Sequence, residues 1–144
     1  MHVVTPSLIV GNLEEALQPP SFVRHVLFLA AEYRIVPPTG VTFECVPMVE
    51  FQEADPQVIR SAIDWVERYE SSERVLVCCR AGMGRSVSVV IAYLCCVKGM
   101  QYAEAVDLLK SKRPGATPLP NLEQTIKRIW LLRQTRLGED QPSG

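Results

Sequence analysis

The feature that most constrains this chain is a glycine-containing loop between two apolar segments. Residues 74–94 read RVLVCCRAGMGRSVSVVIAYL, in which the first apolar run predicts a buried strand and the second a buried helix. A tight turn from a strand into a helix directs successive backbone N–H groups at one point, and the helix dipole adds partial positive charge there. The sequence therefore predicts an anion-binding site in the loop.

Two side chains give this loop a specific chemistry. Cys79 stands at its start, where the backbone N–H groups can stabilise a thiolate, and Arg85 follows six positions later. The planar guanidinium of Arg85 matches two oxygens of a phosphate. Gly82 and Gly84 permit unusual backbone angles and a close approach to a ligand. A thiolate below a phosphate cradle predicts phosphoryl transfer to sulfur and then to water.

Strand-like and helix-like patterns alternate along the rest of the chain. We predict strands in SLIVGN, HVLFLA, TFECVPMVE, which ends abruptly at Pro47, and RVLVCC. Helices are predicted in NLEEALQ, after Asp55, in SVSVVIAYLCCVKG, in YAEAVDLLKSKRPG and in NLEQTIKRIWLLRQ. The alternation indicates a single α/β domain of three layers, with a central, mainly parallel twisted sheet flanked by helices. We expect this domain to span residues 1–137 and the polar tail 138–144 to be disordered.

Charge and cysteine content exclude several classes of protein. The net charge of −1 indicates neither nucleic-acid nor membrane-surface binding. The apolar run 87–97 is too short to cross a bilayer, and the N-terminus lacks the pattern of a signal peptide. Five cysteines without a Cys-x-x-Cys spacing, beside only two histidines, make a zinc site unexpected. We expect reduced thiols in the cytoplasm, or in the nucleus, and a monomeric protein that needs no metal or other cofactor.

The loop CRAGMGRS resembles the signature of cysteine-dependent protein tyrosine phosphatases, H-C-x-x-G-x-x-R-[ST]. The similarity extends to the dual-specificity branch, in a compact atypical form, and covers residues 5 to 132. It includes VTPSLIVGNLEEAL before the loop and SVSVVIAYLCCVKGMQYAEAVDLLKSKRPGATP after it.

The resemblance implies a role for each residue of the loop. Cys79 would be the nucleophile that forms a phosphocysteine, and Arg85 would bind phosphate and stabilise the transition state. Ser86 would hydrogen-bond the sulfur and help it leave in the second step. The implied phosphate cradle is the backbone of Arg80, Ala81, Gly82, Met83, Gly84 and Arg85.

Three departures from the family pattern stand out. Cys78 occupies the position of the usual histidine. The usual aspartate general acid is matched by Glu50, 29 residues before Cys79, with Asp55 and Glu53 as alternatives on the same loop. Asp55 could instead cap a helix. The asparagine that usually supports the phosphate loop is replaced by Leu119, so that support is either absent or supplied by Asn121.

These patterns predict a phosphatase that hydrolyses phosphotyrosine and phosphoserine or phosphothreonine in proteins, or another phosphomonoester, through a phosphocysteine. Met83, at a position where lysine often occurs in inositol-lipid phosphatases, disfavours highly charged inositol phosphates. Two alternatives stay open at this point: a catalytically weak pseudophosphatase acting as a phosphate-binding or scaffold module, and another thiol enzyme such as a rhodanese-like sulfurtransferase or an arsenate reductase. A disulfide between Cys78 and an oxidised Cys79 is a further hypothesis.

Overall fold

The structure, a computed structural model, describes the backbone of residues 1–140 and the side chains of residues 1–135. Its strands are β1 (His2–Thr5), β2 (Leu8–Gly11), β3 (His25–Ala30), β4 (Thr42–Met48) and β5 (Val75–Cys78). Its helices are α1 (Leu13–Leu17), α2 (Pro56–Glu70), α3 (Arg85–Cys96), α4 (Tyr102–Lys112) and α5 (Leu122–Asp140).

One five-stranded sheet organises the chain, in the order β1-β2-β5-β3-β4. The pairs β2–β5, β5–β3 and β3–β4 are parallel, and only β1–β2 is antiparallel. The predicted α/β domain with a mainly parallel sheet is therefore confirmed. Strand β1 was not predicted, because four residues at a sheet edge with two exposed side chains carry little hydrophobic pattern.

The central position of β5 places the loop at the carboxyl edge of the sheet. Every residue of β5 is buried, and Cys78 at its end is paired with Gly11 of β2 and Phe28 of β3. The chain leaves this edge, turns through residues 79–84 and enters α3 at Arg85. Ligand sites in parallel α/β sheets form at this edge, since loops from several strands converge there.

The two faces of the sheet are covered unequally. Helices α2, α3, α4 and α5 pack on one face around a large core that includes Ile63, Val77 and Ile91. A smaller core on the other face contains Ala16 of α1, together with residues such as Val26 and Leu76. Burial of each large aliphatic side chain in these cores contributes about 1.5–3 kcal/mol.

A buried carboxylate connects the first hairpin to two helices. Glu70, at the end of α2, accepts hydrogen bonds from the hydroxyls of Ser7 and Tyr93, both at 2.7 Å. Lys98 lies 3.1 Å from the same carboxylate. Burial alone would raise the pKa of Glu70, but these hydrogen bonds outweigh it and lower the pKa. The group thus stays ionised beneath the helical layer.

Two sequence expectations need correction or limitation. Pro47 does not end the fourth strand, because β4 continues to Met48; an edge strand tolerates proline since one of its sides has no partner strand. Helix α5 continues through residues 138–140, the first part of the expected tail, while residues 141–144 lie outside the described part of the chain.

No helix within residues 1–140 is both long and apolar enough to span a membrane.

Candidate active site

The backbone of the loop after β5 is held from outside at four successive carbonyl groups. Each of these carbonyl oxygens accepts a hydrogen bond from a group that lies outside the loop. The bonds are Leu13 N–H to Arg80 at 3.1 Å, Arg113 Nη2 to Ala81 at 3.0 Å, Arg113 Nε to Gly82 at 2.6 Å and Thr117 N–H to Met83 at 2.7 Å.

These contacts determine where the loop N–H groups point. In a planar trans peptide the C=O of one residue and the N–H of the next point in opposite directions. Because the carbonyls of residues 80–83 point outward, the N–H groups of residues 81–84 point toward the inside of the loop. Inward N–H groups at a helix N-terminus form an anion-binding cradle. The predicted phosphate-binding backbone therefore has the required orientation.

Arg113 holds the loop in place, and the sequence interpretation missed it. It follows α4, its side chain is buried, and it bonds two loop carbonyls with one guanidinium; its Nη1 also contacts Nδ1 of His2 at 2.7 Å. A basic residue after a helix is ordinarily interpreted as a solvated partner of the helix dipole. Only its position under the loop distinguishes Arg113 from its exposed neighbour Lys112.

The side chain of Cys79 lies buried in the larger core, close to the start of α3. Its Sγ is 3.2 Å from the hydroxyl of Ser86, which is itself buried. The backbone N–H of Cys79 donates to the carbonyl of Gly11 at 3.4 Å, which holds the residue at the end of the sheet. The sulfur–hydroxyl contact implied by the family resemblance is present.

Cys78 points away from this site. Its side chain belongs to the core on the opposite face of the sheet, as expected for neighbouring residues of a strand. Burial raises the pKa of Cys78 well above its ordinary value, and the charge of Glu15 raises it further. The disulfide hypothesis for Cys78 and Cys79 is not supported, since the sheet separates the two sulfurs.

Arg85 closes the loop with its guanidinium almost fully buried. Its Nη2 donates to Oε2 of Glu32 at 3.0 Å and its Nη1 donates to the other oxygen of the same carboxylate. Nη1 also donates to the carbonyl of Met48 at 3.0 Å, and Nε donates to Oε2 of Glu50 at 3.1 Å. Burial alone would lower the pKa of Arg85, but the hydrogen bond to Glu32 and the two carboxylate charges raise it.

Glu32 is the second residue at this site that the sequence interpretation missed. It lies two residues after the end of β3 and shows no spacing to the loop that a pattern could identify. Hydrogen bonding to Arg85 lowers the pKa of Glu32 despite its partial burial. Two-point pairing of a guanidinium with a carboxylate fixes orientation as well as charge, so Glu32 sets the plane of the Arg85 guanidinium.

The structure separates the three candidates for the general acid. Glu50 reaches the loop, since its carboxylate contacts Arg85 and packs over Gly84. Glu53 instead accepts a hydrogen bond from the side chain of Asn121 at 3.1 Å. Asp55 caps α2 by accepting from the N–H of Gln57 at 2.8 Å.

The contact between Asn121 and Glu53 also corrects the expectation that Asn121 could support the phosphate loop. Its side-chain amide is exposed and bonds Glu53 rather than the phosphate loop. Bracing comes instead from Thr117 and Arg113, and from Ser88, whose hydroxyl accepts from the N–H of Leu119 at 2.9 Å. Thr117 and Arg113 therefore hold the loop directly, and Ser88 anchors the segment that carries Thr117 and Leu119.

A cleft of about 260 Å³ opens beside the loop. Its walls are mainly apolar, and Glu50 contributes the charged group. The lining residues are Glu50, Phe51, Ala81, Met83, Gly84, Thr117, Pro118, Leu119 and Pro120. Among the side chains of residues 1–135, no group of three His, Cys, Asp or Glu is arranged to hold a metal ion.

Comparison with known sequences identifies relatives of this chain. Residues 22–129 match the family model described as the dual specificity phosphatase catalytic domain. Dual specificity protein phosphatase 1B of Arabidopsis thaliana is 32% identical over 134 residues, which are 88% of this chain and 79% of that protein. Dual specificity protein phosphatase 1 of the same plant is 34% identical over 98 residues, which are 67% of this chain. The match covers 50% of that relative's own length.

A solved structure agrees with the sequence relatives in fold. Human DUSP28 superposes with a TM-score of 0.76 at 24% identity, covering 94% of this chain and 99% of that one. At this identity the likeness concerns the fold alone. The family match over residues 22–129 and the sequence relatives lead to one conclusion: the chain belongs to the dual-specificity phosphatase family and contains its catalytic domain.

Proposed function

We propose that this protein hydrolyses phosphomonoesters of tyrosine, serine and threonine through a phosphocysteine on Cys79. The observation that carries the proposal is the cradle formed by outward carbonyls and inward N–H groups between Cys79 and Arg85. A phosphate held there lies in front of the buried sulfur, with Arg85 at the rim. Such a site stabilises a phosphoryl transition state by charge and by position.

In the first step, the Cys79 thiolate attacks phosphorus and the bond to the ester oxygen breaks. The departing oxygen takes a proton from the carboxyl group of Glu50. In the second step, water attacks the phosphocysteine and gives a proton back to Glu50, while the phosphorus–sulfur bond breaks. Ser86, 3.2 Å from the sulfur, donates a hydrogen bond to the departing thiolate, and inorganic phosphate is released.

Substrate binding would prepare Glu50 for this role. Oε2 of Glu50 accepts from Nε of Arg85, a donor that a phosphate dianion would also use. When phosphate takes Nε, this oxygen of Glu50 is released and can face the oxygen of the leaving group.

The cleft beside the loop supports phosphoamino acids as substrates. Phe51, Met83 and Leu119 offer apolar surface to the group that carries the phosphate. The only basic side chain of the loop besides Arg85 is Arg80, which gives little charge complementarity to polyphosphorylated inositol. The pseudophosphatase alternative is not favoured, since the matching family model is a catalytic domain and the nucleophile and arginine are both in position.

We also propose that the chain acts as a monomer in a reducing compartment such as the cytoplasm. All five cysteines are free, which supports such a compartment. The near-neutral net charge of −1 offers no general attraction to a polyanionic partner.

The test is hydrolysis of 4-nitrophenyl phosphate and of matched phosphotyrosine, phosphoserine and phosphothreonine peptides between pH 5 and 8. We expect turnover by the wild type and none by Cys79→Ser, which should still bind phosphate. Rapid acid quenching should recover phosphate covalently attached to the peptide that contains Cys79. Wild-type turnover no greater than that of Cys79→Ser would reject the enzyme and leave a binding module.

A further inference from the structure

The carboxylate of Glu50 lies directly against the backbone of Gly84. A methyl group built on Gly84 would overlap Oε1 of Glu50 and lie 3.2 Å from its Cδ. The next atom, the carbonyl oxygen of Thr117, is at an ordinary contact distance of 3.5 Å. Glu50 is therefore the one neighbour within the described side chains that excludes a side chain from this position.

The backbone of Gly84 does not itself require glycine. Its φ of −115° lies outside the left-handed region that favours glycine, and it precedes the first residue of α3. Gly82, two positions earlier, is different: its φ is +71°, and a methyl group there would meet the backbone of Gly11. Glycine is needed at position 82 because the loop backbone has a positive φ there. At position 84 it is needed only because the carboxylate of Glu50 occupies the space that a side chain would fill.

We propose that Gly84 is a positioning residue for Glu50. The missing side chain at Gly84 leaves room for the carboxylate of a glutamate, which extends about 1.5 Å further than that of an aspartate. A side chain at this position would push Glu50 away from the rim of the cradle while leaving the cradle intact. The inference rests on the proposed role of Glu50 as the proton donor to the leaving oxygen.

The expected effect is confined to the step that needs the proton. Proton donation requires hydrogen-bond reach to the departing oxygen, and general acid catalysis contributes about 10²–10⁴-fold where the leaving group is basic. Gly84→Ala should therefore slow phenyl phosphate, with its basic leaving group, about tenfold more than 4-nitrophenyl phosphate. The melting temperature should stay near that of the wild type, because only the flexible end of Glu50 must move.

A shorter acid should restore part of the lost activity. Aspartate at position 50 keeps its carboxylate back from position 84, so it leaves room for a methyl group there. The double variant Gly84→Ala/Glu50→Asp should hydrolyse phenyl phosphate faster than Gly84→Ala alone. Gly82→Ala serves as the matched control, since distortion of the loop should slow both esters by the same factor.

The outcomes separate this inference from the proposed function. Equal slowing of both esters by Gly84→Ala, or no recovery in the double variant, would overturn the positioning role while leaving the phosphatase in place. Glu50→Gln should show the same dependence on the leaving group as Gly84→Ala; if it behaves as the wild type, Glu50 is not the acid and the inference fails with that assignment. A wild type no faster than Cys79→Ser would reject both.

Discussion

Glu32 and Arg85 form a two-point ion pair, in which both terminal nitrogens of the buried guanidinium bond one carboxylate. The pair joins the end of β3 to the start of α3, 53 residues apart in the chain. It leaves Nε, the remaining nitrogen, facing Glu50 and the loop. Arg85 is therefore oriented by a residue that does not itself line the loop.

Removal of Glu32 should impair catalysis by releasing Arg85. Glu32→Ala removes both hydrogen bonds to the guanidinium. We expect it to lower kcat/KM for 4-nitrophenyl phosphate about tenfold, which corresponds to about 1.4 kcal/mol of lost transition-state stabilisation. Glu32→Gln keeps an acceptor but not the charge, so it should retain more activity than Glu32→Ala. Glu53→Gln, which alters a carboxylate outside the site, is the control. Activity of Glu32→Ala equal to or above that of the wild type would contradict this prediction. It would show that the ion pair limits the movement of Arg85 without assisting catalysis.

Arg113 should control the order of the phosphate loop. Arg113→Met removes two hydrogen bonds from the carbonyls of Ala81 and Gly82, which allows their peptides to rotate. We expect tungstate, a phosphate analogue, to bind at least tenfold more weakly by calorimetry, and stability to fall by about 1–3 kcal/mol. The exposed neighbour variant Lys112→Met should change neither quantity. Unchanged tungstate affinity in Arg113→Met would mean that the loop holds its shape without this brace.

Alkylation should distinguish Cys79 from the other four cysteines. Burial raises the pKa of Cys95 and of Cys96 to about 11, and it raises the pKa of Cys78 well above its ordinary value. The pKa of the mostly exposed Cys45 thiol is also raised, by partial desolvation and by the charge of Glu44. These thiols stay protonated at pH 6.5, and only a thiolate reacts rapidly.

Iodoacetate at that pH should therefore modify Cys79 first, with parallel loss of activity, and inorganic phosphate should slow the reaction. Mass mapping of the modified peptides checks this, with the exposed-thiol variant Cys45→Ser as the control. Early labelling of Cys45 with activity retained would contradict the assignment.

The buried carboxylate of Glu70 should make stability depend on acid pH. Its pKa in the folded chain lies below the ordinary value of 4.5, so its contribution is complete above about pH 4.5. That contribution is lost as the pH falls through the folded-state pKa. We expect Glu70→Gln to reduce the free energy of unfolding by about 1–3 kcal/mol at pH 7, with the difference from wild type shrinking below pH 4.5.

Denaturant titrations from pH 7 to pH 3 measure this difference. Glu67→Gln is a suitable control, since Glu67 lies on the same helix but pairs with Arg133 near the surface. A constant difference between wild type and Glu70→Gln across this range would exclude the proposed linkage.

The sequence by itself determined the parts of this protein that depend on local pattern. Continuous apolar runs identified the buried strands β2, β3 and β5, and Asp55 with Pro56 marked the start of α2, because strand burial and helix capping are decided within a few residues. The spacing of Cys79 and Arg85 within one turn between strand and helix likewise predicted the chemistry that is proposed for the loop.

Only the tertiary structure decided which distant groups complete that site. Glu32 and Arg113 lie 53 and 28 residues from Arg85, and no periodicity connects either residue to the loop. The family resemblance matched Glu50 to the general acid, with Glu53 and Asp55 as alternatives. Only packing separates the three, since Glu50 alone among them reaches the arginine. Such contacts form when elements that are far apart in the chain pack together at the edge of the sheet. The local sequence pattern does not specify which of those elements become neighbours.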